Sequence, residues 1–165
     1  MIIFRHLTND DLKDVIDLEL AKVFLRRKIP VLIEKPLASN VREGRKIVAL
    51  ARRYETVVAV GHSERFNPVV IAMKRLEVQP KFIETHRISP FTFRSADIGV
   101  VFDMMIHDID IILDLIDSPI RQINASGISV LSDEIDIANA RLEFASGCVA
   151  NVTASRISRK RERKL

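Results

Sequence analysis

The stretch that decides the fold class is PVLIEKPLASNVREGRKIVALARRYETVVAVG, residues 30–61. Its two short apolar runs, residues 31–34 and 56–61, are rich in β-branched side chains and predict buried strands. Between them, Asn40 and Glu43 have the spacing of a capping box, which predicts the start of a helix. A strand, a helix and a second strand in this order are typical of a parallel, doubly wound α/β sheet.

The residues before this stretch predict one more helix. Thr8 or Asn9 can cap it, and basic residues at 26–28 precede Pro30, which ends it. Residues 8–61 therefore predict a helix, a strand, a helix and a strand. We expect this part to be the C-terminal portion of a parallel sheet, because the first turn of such a sheet would precede it.

The pattern of the sequence changes after Pro68. The elements that we predict there are a short helix, a strand over 81–89, a long helix over 98–117, and strands within 121–131, 135–144 and 148–158. Ala145-Ser146-Gly147 is a turn signal that joins the last two strands as a hairpin. Strands grouped after a helix predict an α+β domain with a mostly antiparallel, open sheet. We therefore predict two domains, residues 1–66 and 67–165.

The composition is that of an ordinary globular protein, with 47% hydrophobic and 29% charged residues among 165. The one cysteine, Cys148, excludes a disulfide within the chain and fits a reducing cytoplasm. It falls in a predicted strand and has no zinc-binding spacing with any histidine, so we expect a core residue and no metal site. No apolar stretch reaches the roughly 20 residues of a membrane span, and the first residues lack the order of a signal peptide. We expect a cytoplasmic protein without a membrane partner.

The net charge of +4 comes from the last ten residues, RISRKRERKL, which contain six basic residues and one acidic residue. Such a tail could bind nucleic acid or another anion, or it could be a solvated strand end. No aromatic residue interleaves the basic ones to stack on bases. We therefore favour the solvated strand end and expect no nucleic-acid partner.

The long predicted helix, IGVVFDMMIHDIDIILDLID, carries the most informative pattern. Asp103, His107, Asp110 and Asp114 recur at i, i+4, i+7 and i+11, so they fall within about ±40° of one line along the helix. The spacing of Asp103 and His107 lets the two side chains meet, and a histidine beside a carboxylate can act as a general acid or base. The alternative is the polar stripe of a surface helix that faces solvent.

Two further motifs follow the predicted buried strands. Glu34-Lys35-Pro36 follows the first, at the edge where open α/β sheets bind ligands, and Lys35 could hold a ligand hydroxyl, donate a proton or simply be solvated. GHSERFNP follows the second, and in it Arg65 suits an anionic or amide-bearing ligand. Asn67 precedes a proline in the same motif, which predicts a helix cap.

Taken together, ELAKVFLRRKIPVLIEKPLA (19–38), VAVGHSERFNP (58–68) and DIGVVFDMMIHDID (97–110) resemble the glucose-fructose oxidoreductase / inositol dehydrogenase / rhizopine catabolism family of NAD(P)-dependent oxidoreductases. The resemblance runs from about residue 17 to the C-terminus. It implies that residues 1–66 are a partial Rossmann dinucleotide-binding domain that lacks the glycine-rich turn. It also implies a substrate and oligomerisation domain in residues 67–165, whose antiparallel sheet commonly joins subunits.

The resemblance also implies the roles of single residues. Lys35 would contact the substrate hydroxyl and the nicotinamide ribose, His107 would exchange the hydroxyl proton, and Asp103 would position both substrate and His107. On the cofactor side, Glu34 and Pro36 would shape the turn, and Arg65 would lie near the nicotinamide. The cofactor would be NAD or NADP.

The segments SPFTFRSADIGVVFDMMIHDIDI and GCVANVTASRIS look, more narrowly, like the bacterial branch that oxidises the 3-hydroxyl of UDP-N-acetylglucosamine. A nucleotide-sugar substrate would give Arg94 a diphosphate or a sugar to bind. For Arg156 we favour a role as surface charge. The expected partners are thus a sugar or nucleotide-sugar and further copies of the chain.

One family feature does not occur in this sequence, which has no G-x-G pattern. We therefore expect the family's glycine-rich turn to precede residue 1, the chain to be truncated at both ends, and dinucleotide binding to be impaired, since the turn brings the backbone close to the pyrophosphate. Two functions stay open: a fragment of an oxidoreductase that transfers hydride between NAD(P) and a sugar carbon, or a non-catalytic oligomerisation or interaction domain derived from one.

Overall fold

A computed structural model gives the fold and describes residues 2–4, 13–92 and 97–165, with side chains from Leu18 onward. The predicted caps Thr8 and Asn9 and the predicted substrate residue Arg94 lie outside the described residues. The chain divides into two units, Met1–His62 and Ser63–Leu165.

Unit 1 is a small parallel sheet with two helices. Its elements are β1 (Ile2–Phe4), α1 (Lys13–Arg26), β2 (Val31–Ile33), α2 (Val41–Arg53) and β3 (Val58–Val60). The strand order is β1-β2-β3, and both neighbouring pairs are parallel. The predicted β2, α2 and β3 are confirmed, whereas β1 was not predicted, because three apolar residues without a turn signal are too short a pattern.

The core of unit 1 forms where the helices cover the sheet. Its fully buried side chains are Ala21, Leu25, Val31, Ile33 and Ile47. Asn40 caps α2 as predicted, and its side-chain oxygen accepts a hydrogen bond from the Glu43 amide at 3.0 Å.

Unit 2 is an open five-stranded sheet with helices. Its elements are a 3₁₀ turn (Ser63–Phe66), α3 (Pro68–Arg75), β4 (Phe82–Ile88), a π-helical turn (Val101–Met105), α4 (Ile106–Leu115), β5 (Ile120–Ile128), β6 (Ile137–Phe144), β7 (Val149–Ser155) and β8 (Glu162–Lys164). The strand order is β5-β6-β7-β4-β8. Only the β4–β7 pair among these is parallel, so the predicted mostly antiparallel α+β sheet is confirmed.

The hairpin of β6 and β7 supplies much of the second core. Gly147 has φ of +82°, as the predicted turn requires, and its amide donates to the Phe144 carbonyl at 2.9 Å. Alternate residues of both strands pack with Ile112 of α4. Cys148 is buried in the same cluster as predicted, and burial raises the pKa of its thiol.

The segment over 98–117, predicted as a single regular helix, is not one regular α-helix. Its first part is the π-helical turn Val101–Met105, and the α-helix begins only at Ile106. A π turn adds a residue to the helical turn, so the constant 100° per residue from which the stripe is predicted does not apply across Val101–Met105. The alternative of a stripe that faces solvent does not hold at Asp110, which is buried.

Contacts in unit 2 determine the place of the basic C-terminal tail and of the 3₁₀ turn near the predicted domain boundary. Residues 162–164 form an exposed edge strand on β4, which agrees with the predicted solvated strand end. The 3₁₀ turn lies before the predicted boundary at residues 66 and 67, but it groups with unit 2, where Arg65 pairs with Asp110. None of the described helices is both long enough and apolar enough to cross a membrane.

Arg156, predicted as surface charge, is buried, so that prediction is wrong. Its Nε donates to Asp136 Oδ1 at 2.7 Å, and the two residues are 3% and 0% exposed. The other Asp136 oxygen accepts hydrogen bonds from three backbone amides of the preceding loop. Desolvation alone would raise the pKa of Asp136, but these amides and the guanidinium hold it far below its ordinary value.

This lowered pKa predicts that Asp136 contributes to stability at neutral pH and less in acid. A carboxyl whose pKa is lower in the folded state stabilises fully above its unfolded pKa of about 4, and the contribution declines as pH falls toward the folded pKa. We expect Asp136→Asn to lower the free energy of unfolding at pH 7 by about 3 kcal/mol. The measurement is urea unfolding of both proteins between pH 7 and pH 3, and the difference should shrink below pH 4. A difference that is constant with pH would contradict the assignment.

Candidate active site

The first predicted motif follows β2 in unit 1. Glu34, Lys35 and Pro36 are half-buried, and the Lys35–Pro36 peptide bond is cis. The neighbouring strand ends at the same edge of the sheet, where the Gly61 amide donates to the Ile33 carbonyl at 2.7 Å. The motif therefore lies at the carboxyl edge of two parallel strands, as predicted, which is the edge where open α/β sheets bind ligands.

Gly61 is the residue that leaves room for Glu34. A Cβ at Gly61 would lie 3.0 Å from Glu34 Oε2 and 3.3 Å from Glu34 Cα, closer than side chains normally approach. The φ of Gly61 is not positive, since Gly147 is the glycine with positive φ in the described residues. The requirement for glycine is therefore steric, and it couples the two strand ends.

The second predicted group lies on the helical segment of unit 2. Asp103 belongs to the π turn and His107 to the first turn of α4, and both are half-buried. The Phe102 and Asp103 amides both donate to the Gly99 carbonyl at 3.1 Å. π turns in helices frequently occur at functional sites. The predicted acid/base residues therefore lie on a segment whose backbone departs from the regular α-helix over Val101–Met105.

Arg65 forms ion pairs with two acids of α4, Asp110 and Asp114. Its Nε and Nη2 each donate to one oxygen of Asp110 at 2.7 Å, and Nη1 donates to Asp114 at 3.2 Å. The hydrogen bond with Asp110 raises the pKa of the guanidinium further above its ordinary value, in spite of partial desolvation. Arg65 thus ties the 3₁₀ turn to α4, and its role toward a cofactor stays a prediction.

A second buried ion pair was missed by the sequence analysis. Arg87 of β4 donates through Nε and Nη2 to Asp108 Oδ1 at 3.0 and 2.6 Å, and both side chains are less than 10% exposed. Desolvation opposes the charge of Arg87, yet Asp108 and Glu64 keep the pKa of its guanidinium raised. The period-2 pattern of β4 could have indicated that Arg87 is buried, because Thr85 and Arg87 lie on the same buried face of the strand.

Glu64 completes this network beside His107. Desolvation would raise the pKa of its carboxyl, but the hydrogen bond from Asn67 and the charges of Arg87, Arg163 and His107 keep it below the ordinary value. Arg87, Asp108 and Glu64 also line a cavity of about 420 Å³ in unit 2. The carboxylate of Glu64 therefore stays ionised close to the predicted acid/base residue.

Asn67 has the capping role that the sequence predicts. Its side-chain oxygen accepts a hydrogen bond from the Val69 amide at 3.0 Å, and Pro68 is the first residue of α3. Its amide group also donates to Glu64 at 3.3 Å. Asn67 therefore supports the network from the helix end.

Two family models match the chain along most of its length. The GFO/IDH/MocA C-terminal domain matches residues 77–165, more than half of the chain, and the oxidoreductase family, NAD-binding Rossmann fold, matches residues 16–62. The chain belongs to the GFO/IDH/MocA oxidoreductase family. The resemblance stated from the three sequence motifs is thereby confirmed.

Named relatives of this family give the chain its context. It is 33% identical to UDP-N-acetylglucosamine 3-dehydrogenase of Acidithiobacillus ferrooxidans, over 88% of this chain and 47% of the relative. It is 29% identical to myo-inositol dehydrogenase Hyg17 of Streptomyces leeuwenhoekii, over 71% of this chain and 39% of that protein. The chain thus spans about half the length or less of the curated relatives it matches.

Solved structures of the family agree with the fold. The A. ferrooxidans UDP-N-acetylglucosamine 3-dehydrogenase has a TM-score of 0.84 at 32% identity, covering 90% of this chain and 49% of that one. A probable dehydrogenase from Thermotoga maritima has a TM-score of 0.77 at 20% identity, covering 87% and 48% of the two chains, which supports the fold alone.

The contact between Gly61 and Glu34 predicts a steric coupling in this family member. We expect Gly61→Ala to lower the free energy of unfolding by about 1 kcal/mol, because the new methyl group would lie 3.0 Å from Glu34 Oε2 and 3.3 Å from Glu34 Cα, so Glu34 must shift. Urea unfolding measures the change. In a Glu34→Ala background most of the loss should disappear, and the remainder reflects the approach to the Glu34 backbone.

The matched control is Gly44→Ala, in the interior of α2. Its Cβ would meet only Leu37 at 3.7 Å, an ordinary contact, so we expect alanine to stabilise the helix by about 0.5–1 kcal/mol. Equal losses for Gly61→Ala with and without the Glu34 side chain would refute the coupling.

Proposed function

We propose that this chain carries the catalytic residues of an NAD(P)-dependent dehydrogenase that transfers a hydride between the cofactor and a hydroxyl carbon of a sugar or nucleotide-sugar. The observation that carries the proposal is the segment with Asp103 and His107, in which a π turn interrupts the helix at the acid. Membership of an oxidoreductase family supports it and favours it over a non-catalytic oligomerisation or interaction domain.

His107 is the proposed acid/base group. During oxidation it would accept the proton of the substrate hydroxyl while the hydride leaves the same carbon, and a carbonyl group forms. In the reverse direction it would return that proton. Asp103 would orient the imidazole and favour its protonated form, and the ionised Glu64 close to His107 would favour that form as well.

Lys35 is the proposed contact to the reacting oxygen. Its ammonium group can donate to a hydroxyl oxygen and stabilise negative charge that develops there when the proton leaves. Glu34 can accept hydrogen bonds from ribose hydroxyls at the same strand end. This set of one ammonium and one carboxylate at a sheet edge fits a nicotinamide ribose, and the bound nicotinamide would supply the acceptor for the hydride.

The substrate class that we propose is a nucleotide-sugar such as UDP-N-acetylglucosamine. The support is the 33% identity to a UDP-N-acetylglucosamine 3-dehydrogenase, compared with 26% and 29% to two inositol dehydrogenases. Arg94 stays the predicted contact to the diphosphate. We also propose a cytoplasmic location, which the single, buried Cys148 fits.

A binding titration tests the cofactor part of the proposal. Because this sequence has no G-x-G turn, we expect weak but saturable NADH binding by the purified chain, measured by fluorescence. The dissociation constant should rise about tenfold or more in Lys35→Ala, since a charge-assisted hydrogen bond is lost. Lys46→Ala, at an exposed position of α2 in the same unit, should bind like the wild type. Absence of binding up to millimolar NADH would contradict cofactor binding by this chain.

An activity assay tests the catalytic part. With UDP-N-acetylglucosamine and NAD, we expect His107→Asn to lower kcat by roughly 10²–10⁴ and Asp103→Asn to lower it less, because general acid/base catalysis contributes about this factor. His86→Asn is the matched control, since His86 lies on β4 and its Nε2 is 3.4 Å from the exposed carboxylate of Glu84. Equal effects of the two histidine substitutions would contradict the role of His107.

We propose further that copies of the chain associate through the antiparallel sheet. β5 is an edge strand whose residues after Ile120 are exposed, and Ile123 and Ile128 are each 59% exposed. Unpaired edges and exposed apolar side chains recruit partners. Light scattering should give a dimer or larger species that Ile123→Lys dissociates, whereas Val48→Lys on α2 should not. A monodisperse wild-type monomer would contradict the proposal.

A further inference from the structure

The buried pair of Asp136 and Arg156 contacts the backbone from which the π turn starts. Arg156 Nη1 donates to the Ile98 carbonyl at 2.6 Å, while Nε donates to Asp136 at 2.7 Å and Nη2 to the Ser132 hydroxyl at 2.9 Å. One guanidinium therefore joins three parts of unit 2: the loop before β6, the end of β7, and the residues just before the π turn.

A second contact holds the same backbone on the other side of Gly99. The Val100 amide donates to the Ile135 carbonyl at 2.8 Å, and the Val100 side chain is fully buried. Between these two attachments lies Gly99, whose carbonyl accepts the amides of Phe102 and Asp103. The position of Gly99 thus determines where the first turn carrying Asp103 begins.

The loop of residues 129–136 is folded around the Asp136 carboxylate. Oδ2 accepts the amides of Val130, Leu131 and Ser132 at 2.8, 2.6 and 3.0 Å, and Oδ1 accepts the Ser132 hydroxyl at 2.8 Å. Because the carboxylate is fully buried, water does not compete with these donors. The loop gives the carboxylate, and through it the guanidinium, a fixed place.

Only an arginine can make this set of contacts from position 156. Its planar guanidinium directs Nε, Nη1 and Nη2 to different acceptors, and its cationic group also lies 5.7 Å from the centroid of the Phe91 ring. A lysine could keep the charge beside Asp136, but one ammonium group cannot reach the Ile98 carbonyl and the Ser132 hydroxyl in the same geometry.

We propose that Asp136 and Arg156 are positioning residues for the π turn, and that they set the placement of Asp103 through the Ile98 carbonyl and Gly99. This inference rests on the proposed function for its catalytic meaning. The positioning itself is a property of unit 2, and it can be measured without cofactor or substrate.

The test is native-state hydrogen exchange of the full chain by NMR, with Arg156→Lys as the variant. We expect the Phe102 and Asp103 amides to exchange roughly tenfold faster or more, the effect of losing a charged hydrogen bond. Ala140 and Val152 are paired in the β6–β7 hairpin. The exchange rates of their amides should change only in proportion to the change in the global unfolding equilibrium. Proportional acceleration of all four amides, or no acceleration, would overturn the proposal.

Two further variants make the outcome unambiguous. Ser132→Ala keeps the ion pair and removes one contact to Arg156 Nη2, so it should give a smaller effect at the same two amides even if Arg156→Lys fails to fold. Arg141→Lys is the control, because Arg141 contacts Glu143 and Asn151 on the exposed side of the sheet. Faster exchange at Phe102 and Asp103 in this control would also overturn the proposal.

Activity then separates the inference from the proposed function. If the wild type transfers hydride, Arg156→Lys should lower kcat with little change in the KM for NAD, since the proposed cofactor contacts of Glu34 and Lys35 lie in unit 1. If the wild type has no activity, the proposed function fails, while the exchange result still decides whether Asp136 and Arg156 position the turn.

Discussion

Unit 2 depends on arginines that neutralise carboxylates inside an apolar core. Asp108 and Asp136 are 4% and 0% exposed, and an ionised carboxylate at such a position is strongly unfavourable without a charged partner and hydrogen bonds. Arg87 supplies both from β4, and Arg156 supplies both from the position directly after β7. Because the two pairs join elements far apart in the chain, the same contacts that satisfy the charges also hold α4 and the π turn against the sheet.

This arrangement divides the acids of the helical segment by role. Asp108 and Asp110 are committed to Arg87 and Arg65, and their burial suits a structural function. Asp103 and His107 are half-buried instead, on the part of the segment where the backbone leaves regular α-helical geometry. A local irregularity of this kind is tolerated only when the surrounding structure determines it, and the contacts at Ile98 and Val100 supply that constraint.

The sequence predicted what depends on local pattern and missed what depends on long-range charge pairing. The capping role of Asn40 and Asn67 and the hairpin turn at Gly147 are short-range features, and they were confirmed. The π turn has no periodic signature of its own, so a regular helix was predicted in its place. Arg156 lies at the start of a strongly basic tail, and composition assigns such a residue to the surface. Only the fold shows that it meets Asp136, 20 residues earlier.

The candidate residues of unit 1 also combine a local pattern with a constraint from a neighbouring strand. Lys35 and Glu34 follow β2, and their position at the carboxyl edge of parallel strands was predictable from the strand pattern alone. The steric requirement at Gly61 was not predictable, since it depends on the register that sets β3 beside β2. The absence of a side chain at Gly61 therefore leaves the space that Glu34 occupies. It follows that the chemistry of this strand end depends on the adjacent strand as much as on the Glu34-Lys35-Pro36 motif itself.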